Sequence, residues 1–196
     1  SEGIGAARDT RTTDGTTLSF DAKRDTSSGT LNANLLFVSG DPFQRSRLTF
    51  GRVIGRPAGT LSFAFGISET ADGATPIGNI GWTQELPRGD ISVSASRSLR
   101  VADDEDDLSL TRGDFRHGYQ INSVTQLDLL AQIAQIEDLS VGGDTTYRAS
   151  LELSVSRDIT SNWAIAVGVD AQVSGGDSTE TEQSNSAFVA LRRTLN

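Results

Sequence analysis

The sequence predicts an all-β fold: an antiparallel, up-and-down transmembrane β-barrel of about twelve strands, formed as one domain over residues 1–196. Three observations carry this reading. Apolar and polar residues alternate with a period of two in one segment after another. The segments run to about ten residues, the length of a tilted strand crossing a bilayer's hydrocarbon. Longer polar loops near Asp41, Ala71, Asp103, Val141 and Gly175 take turns with tight ones near Ser28, Pro57, Pro87, Val124 and Thr160, as in spanning barrels with long loops on one side and short turns on the other.

The clearest alternation lies between Thr145 and Val173. Tyr147, Ala149, Leu151, Leu153 and Val155 share one parity, against Arg148, Ser150, Glu152, Ser154 and Ser156. After the polar turn Arg157 to Asn162, Trp163, Ile165, Val167, Val169, Ala171 and Val173 stand against Ala164, Ala166, Gly168, Asp170 and Gln172. Two such strands joined by a short turn make an antiparallel hairpin.

Taken from the start, Ile4 to Arg11 is a weak first strand, followed by the Asp14-Gly15 turn signal. Leu18, Phe20 and Ala22 form the next apolar file, and Leu31, Leu35 and Phe37 the one after it. The Arg45–Ile54 strand shows Leu48, Phe50 and Ile54 interrupted by Arg52. Leu61, Phe63, Phe65 and Ile67 oppose a face of small residues, and Thr70 to Pro76 reads as a loop before Ile80 and Trp82. Ile91, Val93, Ala95, Leu99 and Val101 then oppose a file of serines, Ser92, Ser94, Ser96 and Ser98, with Arg100. Leu108 to Ser123 reads as a strand with a bulge near Gly113 or Gly118. Leu127, Leu129, Ala131 and Ile133 form the following file. Gly175 to Ser184 reads as the longest polar loop, and Ala187, Val189, Leu191 and Leu195 as the last strand.

Composition narrows the function classes. A net charge of -9 and a pI near 4.5 argue against a nucleic-acid partner, because phosphate binding relies on a basic surface. With no cysteine there is no disulfide framework, thiolate nucleophile or zinc–sulfur site. No run approaches the roughly 18 apolar residues of a membrane helix, and the first residues lack the basic start and apolar core of a signal peptide. Lys23 is the only lysine among 17 basic residues, unlike soluble β-domains, which use lysine freely on exposed edges.

The last segment, Ser184-Asn185-Ser186-Ala187-Phe188-Val189-Ala190-Leu191-Arg192-Arg193, resembles the closing strand of bacterial outer-membrane β-barrel proteins. The strand ends Ala22-Lys23-Arg24-Asp25 and Val155-Ser156-Arg157-Asp158 are similar to those of small porin-like barrels, including some of exopolysaccharide loci. The resemblance implies a bacterial outer-membrane location, with lipid, lipopolysaccharide, small polar solutes and a periplasmic or surface protein as partners. Such families commonly end in an aromatic residue, whereas this sequence ends Thr194-Leu195-Asn196; a terminus beyond this stretch, or a variant assembly signal, is expected.

Candidate chemistry is sparse, and the expectation is a protein that is no enzyme and needs no cofactor. His117 is the only histidine, so a Ser-His-carboxylate mechanism must run through it; the simpler reading is a solvated or lumen-facing histidine beside a bulge. The acidic run Asp103 to Asp107 offers hard oxygen ligands but lacks the spacing and glycine of an EF-hand, so a solvated loop is simpler. No metal site is expected. Arg88-Gly89-Asp90 and Arg112-Gly113-Asp114 read as turns.

What the second parity contains points to function. Ser92, Ser94, Ser96, Arg100, Asp128, Gln132, Arg148, Glu152, Ser154, Asp170 and Gln172 are the expected lumen-lining residues. Short hydroxyls and mixed charges do not fill a lumen as hydrocarbon would, so a narrow polar pore for small polar or charged solutes is expected. Two alternatives stand beside it. One is a structural or partner-anchoring barrel without conductance; the other is a soluble β-sandwich, adhesin-like module whose apolar faces form a core.

Overall fold

A computed structural model describes residues 15–40, 44–70, 73–101, 107–140 and 143–193. They form eleven strands in one antiparallel sheet whose spatial order is the sequence order. These are β1 Gly15–Thr26, β2 Gly29–Gly40, β3 Gln44–Arg56, β4 Gly59–Thr70, β5 Gly73–Leu86, β6 Gly89–Val101, β7 Asp107–Asn122, β8 Thr125–Asp138, β9 Thr145–Thr160, β10 Trp163–Gly176 and β11 Thr179–Arg193. They account for eleven of the twelve expected strands. The other, residues 4–11, lies outside the described residues, among which no ladder joins β1 to β11.

One end of the sheet carries two-residue turns: 27–28, 57–58, 87–88, 123–124 and 161–162. Such turns need unusual backbone where the chain re-enters the ladder. Gly89 shows why: its φ is 150°, and a Cβ there would run into the carbonyl oxygen of Gly118 on β7. The opposite end carries the remaining connections. There Asp107 accepts a backbone hydrogen bond from Leu139 (2.9 Å), and Ser178 donates to Asp144 (2.7 Å). The ends of the acidic loop and of the β8–β9 and β10–β11 connections thus share one rim; loop residues 103–106 lie outside the described residues.

Exposure decides between a membrane barrel and a sandwich. Among the described residues the buried hydrophobics are Ile77, Leu99 and Ala166 alone, while Leu18, Phe20, Phe65, Ile133 and Val189 are 61–72% exposed. A sandwich would place these files in a core. Here they form a continuous outward surface, while the alternate residues, such as Ser150, Glu152, Ser154 and Ser156 on β9, are half-buried. From Trp163 to Val173 β10 advances roughly 34 Å at ~3.4 Å per residue, which a tilt of ~45° projects to about 24 Å, matching an apolar band about 25 Å tall.

Several local expectations are corrected. The stretch 175–184 is no long loop: β10 runs to Gly176 and β11 starts at Thr179. Both strands continue beyond the apolar band, where alternation has no hydrocarbon to answer to. The same reason makes Gly73 to Pro76 strand. β7 pairs regularly at Gly113 and Gly118, and its irregularity falls between Gln120 and Asn122. Arg112-Gly113-Asp114 is mid-strand, not a turn.

Candidate functional site: the polar face and an inward-folded hairpin tip

Register places the eleven expected lining residues on one face. Ser92 opposes Arg116, which opposes Leu130, then Glu152, then Asp170. The adjacent row runs Ser94, Asp114, Gln132, Ser150, Gln172; the next runs Ser96, Arg112, Ala134, Arg148, Ser174, Glu182. Asp128 opposes Ser154, and Arg100 opposes Leu108. Because strands lie about 4.8 Å apart, each row is a transverse band of mostly polar side chains, in which charges, hydroxyls and amides are interrupted by Leu130 and Ala134.

β7 supplies charged residues that the sequence reading left out. Arg112 and Asp114, two apart and therefore on one face, form a bidentate pair with Nη2–Oδ1 at 2.7 Å and Nε–Oδ2 at 2.9 Å. Gln132 from β8 donates to the same carboxylate at 3.0 Å. One row nearer the turns, Arg116 stands 3.8 Å from Asp128, which also accepts from Gln126 at 2.9 Å. Asp170 accepts from the Ser186 hydroxyl on β11. All of these contacts join a strand to itself or to its neighbour, so they run along the wall. Among the described residues Arg148 and Glu152 make no ion pair. A recess of about 440 Å³ opens beside Arg148, Ser174 and Glu182, with Ile136 and Tyr147 on its walls.

One set of contacts crosses the sheet's interior. The β5–β6 ladder covers Gly78–Leu86 with Gly89–Arg97 and then stops, so beyond Arg97 β6 pairs only with β7, which itself stays paired to β8 as far as Leu108–Asp138. Leu99, Ser109 and Asp107 have the outward parity, yet they are 3%, 1% and 2% exposed. Ser68 and Ile77, of inward parity on β4 and β5, are buried too. An outward face can be covered by its neighbours' inward face only if the tip passes inside them. Arg45 fastens it there: from the inward face of β3, its Nη2 donates to the Leu99 carbonyl (3.0 Å) and its Nε to the Ser68 hydroxyl (3.2 Å). Asp107 lies within coulombic reach of the same guanidinium. Leu99, expected in the outward apolar file, is therefore corrected to this buried contact. Arg100, on the tip's other face, stays exposed.

His117 faces outward, opposite Ile91 and Leu129, with Nδ1 3.1 Å from the Asp90 carbonyl oxygen. It neither faces the lumen nor adjoins the β7 irregularity. Of the acidic run only Asp107 is described, and no group of three His, Asp or Glu among the described residues could hold a metal ion.

A single up-and-down antiparallel sheet with hydrocarbon outside and a polar inner face defines a membrane-spanning β-barrel of the outer-membrane type. Comparison with solved structures agrees. OmpT of Vibrio cholerae, an outer-membrane protein folded in vitro, superposes with a TM-score of 0.58 at 6% identity, over 94% of this chain and 81% of that one. Its loop L8 deletion mutant gives a TM-score of 0.58 at 7% identity, over 94% and 89%. A NanC porin structure, with a TM-score of 0.44 at 8% identity over 92% and 94%, aligns too loosely to add to this. At such identities the likeness is one of fold. No protein-family model and no curated protein matches the sequence.

Proposed function

We propose that this chain is a bacterial outer-membrane pore that passes small polar or charged solutes, with the β6–β7 tip as its narrowest stretch. One observation carries the reading: the ion pairs of the inner face, Arg112–Asp114 within β7 and Arg116–Asp128 between β7 and β8, run along the wall rather than bridging the interior. Ser92, Ser94, Ser96, Ser150 and Ser154 are too short to fill the space between walls. A barrel of about twelve strands is wider than the eight-stranded kind that side chains fill. Arg148 and Glu152, free of ion pairs among the described residues, and the exposed Arg100 present charge to a passing solute, as charged rings do in other pores. Nothing in this mechanism uses a bound cofactor or a covalent step, so the activity proposed is passive passage. Lipid and lipopolysaccharide would surround the barrel, and the loop rim would be the outer one.

The inward-folded tip favours a second reading, in which Arg45 holds the lumen shut and the barrel anchors a partner. Reversal potentials across a planar bilayer under a salt gradient separate the two. The pore reading predicts measurable current and a shift toward cation selectivity on replacing Arg100 and Arg148 with serine. Folded protein that passes no current would sink it.

A further inference from the structure

The outward face segregates its charges by end. Arg24, Arg52, Arg56, Arg157 and Arg193 all have the outward parity, and all lie within a few residues of the short-turn end. No described acid shares that face there: Asp25, Glu85, Asp90, Asp128 and Asp158 have the inward parity, opposite Thr30, Asp90, Gly118, Ser154 and Ala164. The acids of outward parity, Glu69, Glu137 and the buried Asp107, are at the loop end, where Glu137 is paired with Arg97 at 3.1 Å. None of the five arginines forms an ion pair among the described residues. Arg193 lies over the Trp163 ring, 5.5 Å from its centroid. Arg52, set deepest in the apolar file, sends Nη2 to the Ser28 hydroxyl at the turn, 2.8 Å away.

Arginines beside hydrocarbon, with the Arg52 head directed at the turn and Trp82, Trp163 and Tyr119 at the same end, occupy the depth of lipid headgroups. A guanidinium there lacks a protein anion, and its planar fork matches a phosphate bidentately. We propose that this belt docks anionic glycerophospholipids in the leaflet at the turn end. Zwitterionic lipids offer the same phosphate but carry a cation the belt would repel, so the belt selects by net headgroup charge.

Native mass spectrometry of the folded protein, released from micelles doped with equal phosphatidylglycerol and phosphatidylcholine, tests this without reference to conductance. The parent protein should retain phosphatidylglycerol in preference. Arginine-to-glutamine changes at the five positions should lower the ratio by roughly five-fold per arginine, the equivalent of about 1 kcal/mol each near an anionic surface. The double change Arg157→Gln and Arg193→Gln serves if the five-fold variant does not fold. Lys23→Gln and Arg192→Gln, which remove inward charges at the same rim, should leave the ratio unchanged. Equal retention of the two lipids by the parent, a preference that survives loss of the belt, or an equal loss in the inward variants would overturn the proposal.

Discussion

Replacing Arg45 with alanine should release the β6–β7 tip from the inner wall. The side chain makes two hydrogen bonds, to the Leu99 carbonyl at 3.0 Å and the Ser68 hydroxyl at 3.2 Å. Hydrogen bonds to charged groups contribute a net of roughly 1.5–3 kcal/mol each when well shielded. Arg45 is half-buried, so water recovers part of this, leaving about 2 kcal/mol, or roughly thirty-fold in the open fraction at ~1.4 kcal/mol per decade. Asp107 pushes the same way, since its buried carboxylate has an oxygen without a hydrogen-bond partner among the described residues and would lose its nearby cation. The chain contains no cysteine, so Ser109→Cys gives a clean reporter at a position 1% exposed. Its reaction with a charged, water-soluble maleimide should be slow when Arg45 is present and roughly thirty-fold faster with Arg45→Ala. Channel current, if the tip narrows the lumen, should rise in parallel. Equal labelling rates with and without Arg45 would refute the latch.

Two further changes test the faces and the packing. Leu153→Arg puts a charge in the middle of the apolar band and should cost about 2–4 kcal/mol in urea-unfolding titrations from vesicles, whereas Ser154→Arg, one residue along and on the polar face, should cost well under 1 kcal/mol; equal costs would contradict the face assignment. Gly168 on β10 lies under the Phe188 ring of β11, which a Cβ would meet, so Gly168→Val should destabilise by about 1–3 kcal/mol, and an unchanged unfolding midpoint would show that the ring does not rest there.

Most strands are legible in the sequence because lipid on one face and polar groups on the other enforce a two-residue period, as Leu151 to Ser156 display. Legibility stops where that constraint stops. Thr179 to Glu182 alternates polar with polar, because the strand continues beyond the band and either face meets water. Backbone pairing alone makes it strand there. Leu99 shows a different limit. It continues the file of Val93 and Ala95 as any lipid-facing residue would, and its burial follows from a ladder that ends between β5 and β6. That is a relation between distant segments, with no mark at Leu99 itself. Arg45 was missed for the same reason, although its parity, opposite Leu48 and Phe50, already placed it inward. Arg112 and Asp114 were within reach: two apart with a glycine between, they share a face in any strand, and only the turn-like tripeptide obscured them.

The central claim, apolar residues to lipid and polar residues to a water-filled lumen, is tested most directly by single cysteines placed in turn from Ser150 to Ser156. Each is exposed to a charged, membrane-impermeant thiosulfonate during bilayer recording. The account predicts reaction and a stepwise change in current at 150, 152, 154 and 156, and neither at 151, 153 and 155. Reaction at every position alike, or at none with current unchanged, would contradict it.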